Sequence, residues 1–186
     1  MRIVGGDFRG RSLVAPRSLD IRPTSDRLRQ TLFDVLMHAY PDSIRGARVL
    51  DLFAGTGALG LEAMSRGADY VLFIEDGIEA RGLIRRNIEA LGLTGRTRVF
   101  RRDATRLGDA GTVAPFDLVL CDPPYGQGLG EKALAAALAG SWINPGAICV
   151  LEESVKVSVE VPGGFQQLEQ RVVGDSQLVL FQTASG

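Results

Sequence analysis

From residue 47 onward, short apolar runs alternate with runs of helical period, and this alternation constrains the fold more than any other feature of the sequence. Five apolar runs have the length and composition of buried strands: 48–53, 70–74, 97–100, 116–121 and 147–151. Three runs with helical period lie among them: 58–66, 78–91 and 131–140. Strands separated by helices predict right-handed crossovers and a mostly parallel sheet covered on both faces. The predicted fold class is therefore α/β, with a Rossmann-like sheet.

The C-terminal region has a different pattern. Residues 155–161, 167–173 and 177–181 are of strand type and show no helical period. We expect them to form an antiparallel edge of the same sheet. A length of 186 residues is sufficient for one domain with a substantial core and a small appendage. We therefore predict an appendage at 1–40 and a main domain at 41–186.

The N-terminal residues predict a short β-hairpin followed by a helix. The hairpin strands are Arg2–Val4 and Ser12–Ala15, and a glycine-rich bend joins them. Thr24 or Ser25 can cap the helix, because a side-chain hydroxyl accepts a hydrogen bond from the first free backbone N–H groups. Apolar residues then recur at three- and four-residue steps up to Met37. The appendage is thus a hairpin and one amphipathic helix.

Composition excludes several classes of protein. With 45% hydrophobic and 23% charged residues, the chain is neither disordered nor fibrous. No stretch approaches the roughly 18 uninterrupted apolar residues of a membrane span, and the first residues lack the apolar core of a signal peptide. We expect a cytoplasmic monomer with no membrane partner. Cys121 and Cys149 lie in apolar runs without metal-binding spacing, which predicts reduced core cysteines and no metal site.

The formal net charge of −1 hides a gradient along the chain. Residues 1–106 hold 18 basic and 13 acidic side chains, whereas residues 107–186 hold 3 and 9. Nineteen of the 21 basic residues are arginine, whose planar guanidinium suits phosphate and stacked bases. The first half therefore suits a nucleic-acid surface or an ordinary solvated one, and charge alone does not decide between them. We attribute the arginines between 81 and 102 to solvation of a helix face.

A glycine loop follows the first predicted strand of the alternating region. Residues 55–60 read Gly-Thr-Gly-Ala-Leu-Gly, and Glu75 lies 20 positions beyond Gly55 at the end of the next strand. This spacing and context match the dinucleotide-binding fingerprint. It indicates an NAD enzyme, a protein that binds another adenosine-bearing ligand, or a glycine turn that serves packing alone.

Asp51 favours a cationic ligand over a pyrophosphate. Its carboxylate stands just before the loop, where it would repel a pyrophosphate and attract an ammonium or a sulfonium. S-adenosylmethionine carries both of these groups. Glu75 would then accept hydrogen bonds from the ribose diol, and Asp103, after the third strand, would contact the adenine amino group. The dinucleotide interpretation and the packing turn remain open alternatives.

The fourth strand ends in Asp122-Pro123-Pro124-Tyr125. Two prolines directly after a buried strand stop it and fix a stiff turn beside the glycine loop. An exocyclic amine of a nucleobase is a poor nucleophile, because its lone pair is delocalised into the ring. Hydrogen bonds from its N–H groups to Asp122 and to the Pro123 carbonyl would expose that lone pair to a methyl group. Tyr125 could stack on a base that has left its own stack.

This chemistry leaves three alternatives for the tetrapeptide. It serves an adenine-N6 methyltransferase acting on DNA or RNA as well as a guanine-N2 enzyme. It could also be a rigid turn without chemistry, or part of a module that retains the fold and binds without turnover. The chain has no room for a DNA target-recognition domain, which favours RNA over DNA as the substrate.

The sequence resembles the RsmD family, bacterial methyltransferases that modify the exocyclic N2 of a guanine in small-subunit (16S) ribosomal RNA. The likeness covers nearly the whole chain. Its most specific parts are Arg2-Ile3-Val4-Gly5-Gly6, Arg9-Gly10-Arg11 and the segment 22–33, Arg-Pro-Thr-Ser-Asp-Arg-Leu-Arg-Gln-Thr-Leu-Phe. The segment 51–63 and the tetrapeptide 122–125 are shared by many amino-group methyltransferases.

The resemblance implies a class I methyltransferase sheet and a role for each matching residue. The cofactor S-adenosylmethionine would be bound by residues of the loop, of neighbouring strand ends and of the N-terminal segment: Thr24, Asp51, Phe53, Ala54, Gly55, Gly57, Glu75, Asp76, Asp103 and Ala104. Asp122, Pro123, Pro124 and Tyr125 would hold the guanine. The partner would be ribosomal RNA or the small-subunit particle, which Arg9, Arg11, Arg22 and Arg27 would contact.

Overall fold

A computed structural model describes residues 1–185, with seven β-strands and four α-helices among them. The strands are β1 (Arg48–Leu52), β2 (Tyr70–Ile74), β3 (Thr97–Phe100), β4 (Phe116–Cys121), β5 (Ile143–Ser154), β6 (Phe165–Val173) and β7 (Ser176–Thr183). The helices are α1 (Asp26–Ala39), α2 (Ala58–Ser65), α3 (Ile78–Ala90) and α4 (Leu129–Ala139). No helix in this described range is long and apolar enough to cross a membrane.

All seven strands form one sheet in the order β3-β2-β1-β4-β5-β7-β6. The first five strands are parallel, and β7 runs antiparallel to both of its neighbours. This confirms the predicted α/β fold with an antiparallel C-terminal edge. The direction of chain progression reverses between β1 and β4. Ligands of open α/β sheets bind outside the carboxyl ends of the strands at such a switch point.

The central strands are almost wholly buried, as expected for parallel strands covered on both faces. Helix α2 is buried on every side and has little amphipathic character, because the N-terminal segment packs over its outer surface. Ile3, Leu13 and Phe33 belong to the same apolar core as Leu61 of α2. Residues 1–40 therefore form a layer on the main core, and their assignment as a separate appendage stays a prediction.

The N-terminal elements follow the sequence predictions closely. Arg2 and Ser12 form an antiparallel bridge, and the Ile3 N–H donates to the Arg11 carbonyl at 2.9 Å. The predicted hairpin therefore forms, with a single β-bridge pairing its two strands. Ser25, one of the two predicted caps, accepts a hydrogen bond from the Leu28 N–H at 3.1 Å.

The prediction of a strand at 155–161 is wrong. The chain turns at Val155, whose N–H donates to the Asp175 carbonyl at 2.9 Å, and then crosses to β6 without strand pairing. The reason lies in the strand order, because β7 already occupies the edge of β5 to which the segment 155–161 would have to pair. The alternating pattern of these residues reflects half-burial of individual side chains rather than a ladder.

Candidate active site

The glycine loop between β1 and α2 takes a backbone path that suits glycine. Gly55 and Gly57 have φ angles of +58° and +82°, which glycine adopts without the strain that a Cβ would cause. Gly60 allows α2 to lie directly on β2, since an added Cβ would come within 2.5 Å of Phe73 Cε1 and 2.8 Å of Val71 Cγ1. The third glycine therefore sets the close packing of helix on strand.

Glu75 fixes this loop from the end of β2. Its Oε1 accepts a hydrogen bond from the Gly55 N–H at 2.8 Å, and its Oε2 accepts one from the Gly77 N–H at 2.9 Å. The carboxylate lines the main cleft of the molecule together with Phe53 and Asp76. Glu75 thus shapes the loop and presents acceptor atoms to the cleft, which fits a role toward ribose hydroxyls.

Asp51 lies under the loop, not in the cleft where the sequence placed its carboxylate. Its side chain is 1% exposed, and its Oδ2 accepts a hydrogen bond from the Gly60 N–H at 3.0 Å. Its Oδ1 is buried and has no hydrogen-bond partner among the described residues. Burial raises the pKa of Asp51 well above its ordinary value. The close packing of α2 at Gly60 covers this carboxylate, so its direct contact with a ligand stays a prediction.

Asp103 and Ala104 lie beside the main cleft, in a small depression of about 40 Å³ that Phe53, Glu75 and Asp76 also line. Asp103 Oδ1 accepts hydrogen bonds from the Thr105 N–H at 2.9 Å and the Thr105 hydroxyl at 2.7 Å. These bonds lower the pKa of Asp103 and keep it ionised. The carboxylate is thereby oriented at the edge of the depression, as an adenine amino group would require.

Asp122 follows the last residue of β4 and carries two ordered partners. Its Oδ2 accepts a hydrogen bond from the Thr24 hydroxyl at 2.7 Å, and its Oδ1 accepts one from Arg22 Nη2 at 2.9 Å. Burial is the main reason that the pKa of Asp122 stands well above its ordinary value, and the charge of nearby Glu152 adds to it. Arg22 and Thr24 oppose this rise.

Tyr125 is fixed at both its ring and its hydroxyl. The hydroxyl donates to Glu152 Oε1 at 2.5 Å and lies 2.8 Å from Ser176 Oγ. The Arg22 guanidinium lies over the ring with its Cζ 4.0 Å from the centroid, and its Nη1 donates to the hydroxyl at 3.0 Å. Burial and the hydrogen bond to Glu152 raise the pKa of Tyr125 to about 12, so that the phenol stays protonated at neutral pH. Its ring provides a flat surface at the end of the tetrapeptide.

The two groups of residues share one cleft of about 630 Å³. Phe53, Gly55 and Glu75 line it from the carboxyl ends of β1 and β2, and Asp122 and Tyr125 line it from the end of β4. The cleft therefore combines the glycine loop with the Asp-Pro-Pro-Tyr turn, as the sequence predicts from the parallel sheet. Pro123 and Pro124 also line it.

Residues 16–23, which we call the strap, cross this cleft. The Arg17 and Ser18 N–H groups donate to Glu79 Oε1 of α3 at 3.2 Å and 3.3 Å, and Arg22 contacts Asp122 on the other side. Ser18 and Ile21 line the cleft between these anchors. Pro16 and Pro23 bracket this segment in the sequence, and the structure shows that it forms a wall of the site.

The remaining predicted ligands lie around the cleft, not in it. Ala54 and Gly57 belong to the buried base of the loop, where the Gly57 N–H donates to the Ala54 carbonyl at 2.8 Å. Thr24 is 7% exposed and contacts Asp122. They shape the base of the site, and their contribution to cofactor binding stays a prediction.

The four arginines predicted to hold RNA fall into two groups. Arg9 and Arg27 are exposed, and Arg11 is exposed but donates from Nη2 to the Ala90 carbonyl at 2.6 Å. Arg22 points into the cleft, where it is 2.9 Å from Asp122 and 3.3 Å from Glu152. The first three, which we call the peripheral arginines, lie outside the cleft, whereas Arg22 belongs to the active site in this conformation.

Glu152 is the site residue to which sequence reasoning gave no role. Its side chain is 3% exposed, near the carboxyl end of β5, and contacts both Arg22 and Tyr125. An acidic pair closing an otherwise apolar strand was the available signal, because a buried carboxylate needs a partner. Which of Glu152 and Glu153 contacts Arg22 and Tyr125 depends on the strand register. Glu153 accepts its hydrogen bonds from the Gly126 and Ser154 N–H groups instead.

Comparison with known proteins gives concordant results. The family model described as conserved hypothetical protein 95 matches residues 1–182. Ribosomal RNA small subunit methyltransferase D of Escherichia coli (strain K12) is 37% identical over 98% of this chain and 89% of its own length. The solved structure of yhhF from Escherichia coli has 34% identity and a TM-score of 0.83, with 100% of this chain and 99% of that chain covered.

A further solved structure contains ligands. The 16S rRNA N2 G1207 methyltransferase RsmC of Thermus thermophilus, in complex with AdoMet and guanosine, has 25% identity and a TM-score of 0.65. The match covers 87% of this chain and 44% of that chain. The fold of the chain is thus that of class I methyltransferases, and by the match over residues 1–182 the chain belongs to the RsmD family, described as conserved hypothetical protein 95.

Proposed function

We propose that this protein transfers a methyl group from S-adenosylmethionine to the exocyclic N2 of a guanine in small-subunit (16S) ribosomal RNA. The observation that carries the proposal is the shared cleft, which is lined by both Glu75 from the glycine-loop side and Asp122 from the tetrapeptide. The relatives named above support the RNA substrate and the position of the methyl group.

The residues around the glycine loop fit S-adenosylmethionine. Glu75 presents carboxylate oxygens to the cleft for the ribose diol, and Asp103 is held ionised for the adenine amino group. Gly55 leaves open space, since only Ile21 Cγ2 and the Phe53 carbonyl lie as near as 3.9 Å to an added Cβ. When bound, adenosylmethionine supplies a methyl group on a positively charged sulfur, which is an excellent leaving group.

The Asp-Pro-Pro-Tyr turn orients and activates the base. Tyr125 stacks on the flipped guanine, while Asp122 and the Pro123 carbonyl accept hydrogen bonds from the two N2–H groups. The N2 lone pair forms the new C–N bond as the C–S electron pair stays on sulfur. The proton that N2 then loses passes to Asp122, whose raised pKa suits it to accept that proton.

Three finer assignments belong to the same proposal. The RNA is gripped at its phosphates by the peripheral arginines Arg9, Arg11 and Arg27, which are exposed. The substrate is ribosomal RNA free or within the small-subunit particle, and the protein acts as a monomer in the cytoplasm. Arg22, also predicted to hold RNA, joins the strap to Asp122 of the tetrapeptide and reaches a phosphate only after leaving Asp122.

The decisive experiment combines cofactor binding with product analysis. Calorimetry should show binding of adenosylmethionine and no heat with NAD. Unmodified small-subunit RNA, incubated with labelled adenosylmethionine and digested to nucleosides, should yield N2-methylguanosine. Asp122→Ala should lower the product by at least about a hundredfold while the affinity for adenosylmethionine changes little. NAD binding without adenosylmethionine binding, or N6-methyladenosine as the product, would overturn the proposal.

A further inference from the structure

Arg22 bridges Asp122, which lines the cleft, and Glu152, a buried carboxylate near the end of β5 that contacts both Arg22 and Tyr125. One guanidinium nitrogen, Nη2, is 2.9 Å from Asp122 Oδ1, and the other, Nη1, is 3.3 Å from Glu152 Oε1. The guanidinium lies over the Tyr125 ring, with Cζ 4.0 Å from its centroid, and Nη1 also donates to the Tyr125 hydroxyl at 3.0 Å. These contacts surround a flat group that carries N–H donors on two nitrogens bonded to one carbon.

The Watson–Crick edge of guanine has the same pattern of donors. Its N1–H and its N2 amino group are attached to the same carbon, C2, so that they form a planar N–C–N fork like that of arginine. Guanine is also a flat ring that stacks on aromatic side chains. The proposed function already assigns N2 to Asp122 and the ring face to Tyr125. Only the partner of N1–H is then unassigned.

We propose that the Arg22 guanidinium holds the place of the target guanine, and that Glu152 is the carboxylate that accepts the guanine N1–H once Arg22 has left. The inference rests on the proposed function and adds to it the residue that determines the base. Arg22 is a placeholder, and Glu152 is a specificity-determining residue that contacts the substrate.

Electrostatics supports the replacement of the Arg22 guanidinium by the target guanine. Asp122 and Glu152 have side chains 9% and 3% exposed, and their negative charges repel each other, as the influence of Glu152 on the pKa of Asp122 shows. Such a pair needs donors between its members, because an unpaired buried carboxylate is costly. Arg22 supplies donors and a positive charge when the base is absent. The guanine supplies three N–H groups, and N2 becomes positive as the methyl group is transferred.

The strap permits this exchange. Arg22 has a half-exposed side chain and sits in a segment without helix or strand. Beyond Ser18, the strap continues to a fully exposed Leu19, so the segment next to Arg22 is not packed into the core. The guanidinium can therefore turn outward without unfolding any element, which leaves Asp122 and Glu152 facing the base.

The proposed site rejects bases that lack a donor at position 1. Adenine and 2-aminopurine carry a lone pair on N1. This lone pair would face the Glu152 carboxylate, and neither of these two acceptors would then have a donor. The 2-aminopurine base is the sharper probe, because it retains the N2 amine and differs from guanine at positions 1 and 6. The substitution Glu152→Gln would reverse the preference, since the amide N–H₂ it introduces can donate to the lone pair on N1.

The test measures the binding of two free nucleosides by ligand-observed NMR, with the protein saturated with S-adenosylhomocysteine. The wild-type protein should bind guanosine at least about tenfold more tightly than 2-aminopurine riboside. Glu152→Gln should abolish or reverse that preference. The matched control, Glu131→Gln in the first turn of α4, should keep the wild-type ratio. Thermal melting checks that each variant is folded, and the amide oxygen introduced by Glu152→Gln can still accept a hydrogen bond from the Tyr125 hydroxyl.

A second variant tests the placeholder. Because Arg22 competes with the base, Arg22→Ala should bind guanosine several-fold more tightly than the wild type. Equal or weaker binding by this variant would overturn the placeholder role. An unchanged ratio in Glu152→Gln would overturn the assignment of N1–H. The same assignment would be overturned if the wild-type protein showed no preference, whether it bound both nucleosides or neither.

The outcomes separate this inference from the proposed function. N2-methylguanosine formed in RNA by a wild-type protein whose Glu152→Gln variant keeps its nucleoside preference overturns the inference alone. A preference that switches as expected, with no methyl transfer to guanine in RNA, supports guanine recognition by Glu152 and overturns the proposed reaction.

Discussion

Glu75 and Gly55, which are 20 residues apart, are joined by a hydrogen bond of 2.8 Å between the Gly55 N–H and Glu75 Oε1. The second oxygen of Glu75 accepts from the Gly77 N–H. The spacing that indicates a nucleotide fingerprint thus has a structural basis besides ligand binding, because the acidic residue also holds the glycine loop in place. The loop geometry and, in the proposed function, the recognition of adenosine depend on one carboxylate.

We expect Glu75→Ala to weaken adenosylmethionine binding by at least about tenfold, because two backbone N–H groups and the ribose diol would lose an acceptor. Isothermal titration calorimetry measures the change. Glu89→Ala, which removes an exposed carboxylate from α3, is the control and should leave the affinity within about twofold. Wild-type affinity in Glu75→Ala would contradict a role for this carboxylate both in holding the glycine loop for the cofactor and in binding the ribose diol.

Gly60→Ala should destabilise the protein by about 1–3 kcal/mol, the range for overpacking of a well-packed core. The added Cβ would lie 2.5 Å from Phe73 Cε1 and 3.0 Å from Asp51 Oδ2, so α2 must move away from β2. Gly82→Ala in α3 is the matched control, because its Cβ meets nothing within 4 Å. It should stabilise the helix by about 0.5–1 kcal/mol. Urea unfolding of both variants measures the expected loss of stability in Gly60→Ala and the expected gain in Gly82→Ala.

Glu62→Ala should cost about 3–5 kcal/mol, because it removes a fully buried carboxylate that pairs with two buried guanidinium groups, Arg29 at 3.4 Å and Arg66 at 2.9 Å. Glu62 also accepts hydrogen bonds from the Val4 N–H at 3.0 Å and the Gly5 N–H at 2.9 Å. These contacts tie the N-terminal hairpin to α2. We therefore expect faster hydrogen exchange at Val4 and Gly5 than a uniform loss of stability would give.

Hydrogen exchange can separate local from global effects here. Gly60→Ala serves as a comparison, because its damage lies on the sheet side of α2, and exchange rates are compared relative to the global stability of each variant. If the amides of Val4 and Gly5 exchange equally fast in both variants, Glu62 has no specific part in anchoring the hairpin.

The sequence predicts the sheet well because β1, β2, β3 and β4 are short apolar runs with helices or turns between them. Local pattern determines such elements, and the switch point follows from strand order. The segment 155–161 shows the limit of this reasoning. Its residues alternate like a strand, but β7 already pairs with that edge of β5. Whether the segment forms a strand depends on which strand pairs with β5, and the local sequence pattern does not determine that pairing.

The candidate site shows the same division. Asp122 and Glu75 could be placed in one cleft from the sequence, because both follow parallel strands at one edge of the sheet. The burial of Asp51 could not, since it depends on how closely α2 packs at Gly60. The contacts of Arg22 with Asp122 and Glu152 were also beyond reach, because they join residues 100 and 130 positions apart through a strap without regular structure.

The raised pKa of Asp122 predicts an acid limb in the rate of methyl transfer. The ionised carboxylate accepts the N2–H, so the rate should fall as the pH drops through a pKa that burial holds well above the ordinary value. Asp122→Asn keeps one acceptor oxygen and cannot titrate. It should therefore be slower at neutral pH, with a flatter profile. Single-turnover rates between about pH 5 and pH 9 test this. An unchanged acid limb in Asp122→Asn would assign the titration to another group.

The peripheral arginines should carry the salt dependence of RNA binding. Each phosphate contact contributes about 0.7–0.9 to the slope of log affinity against log salt concentration, so replacing Arg9 and Arg11 together by Ala should reduce that slope by up to about two such contributions. The double variant Arg85→Ala with Arg86→Ala removes the same charge from the exposed part of α3. Filter binding of small-subunit RNA over a range of salt concentrations compares them. Equal reductions would show that net charge alone, not the hairpin, governs the interaction.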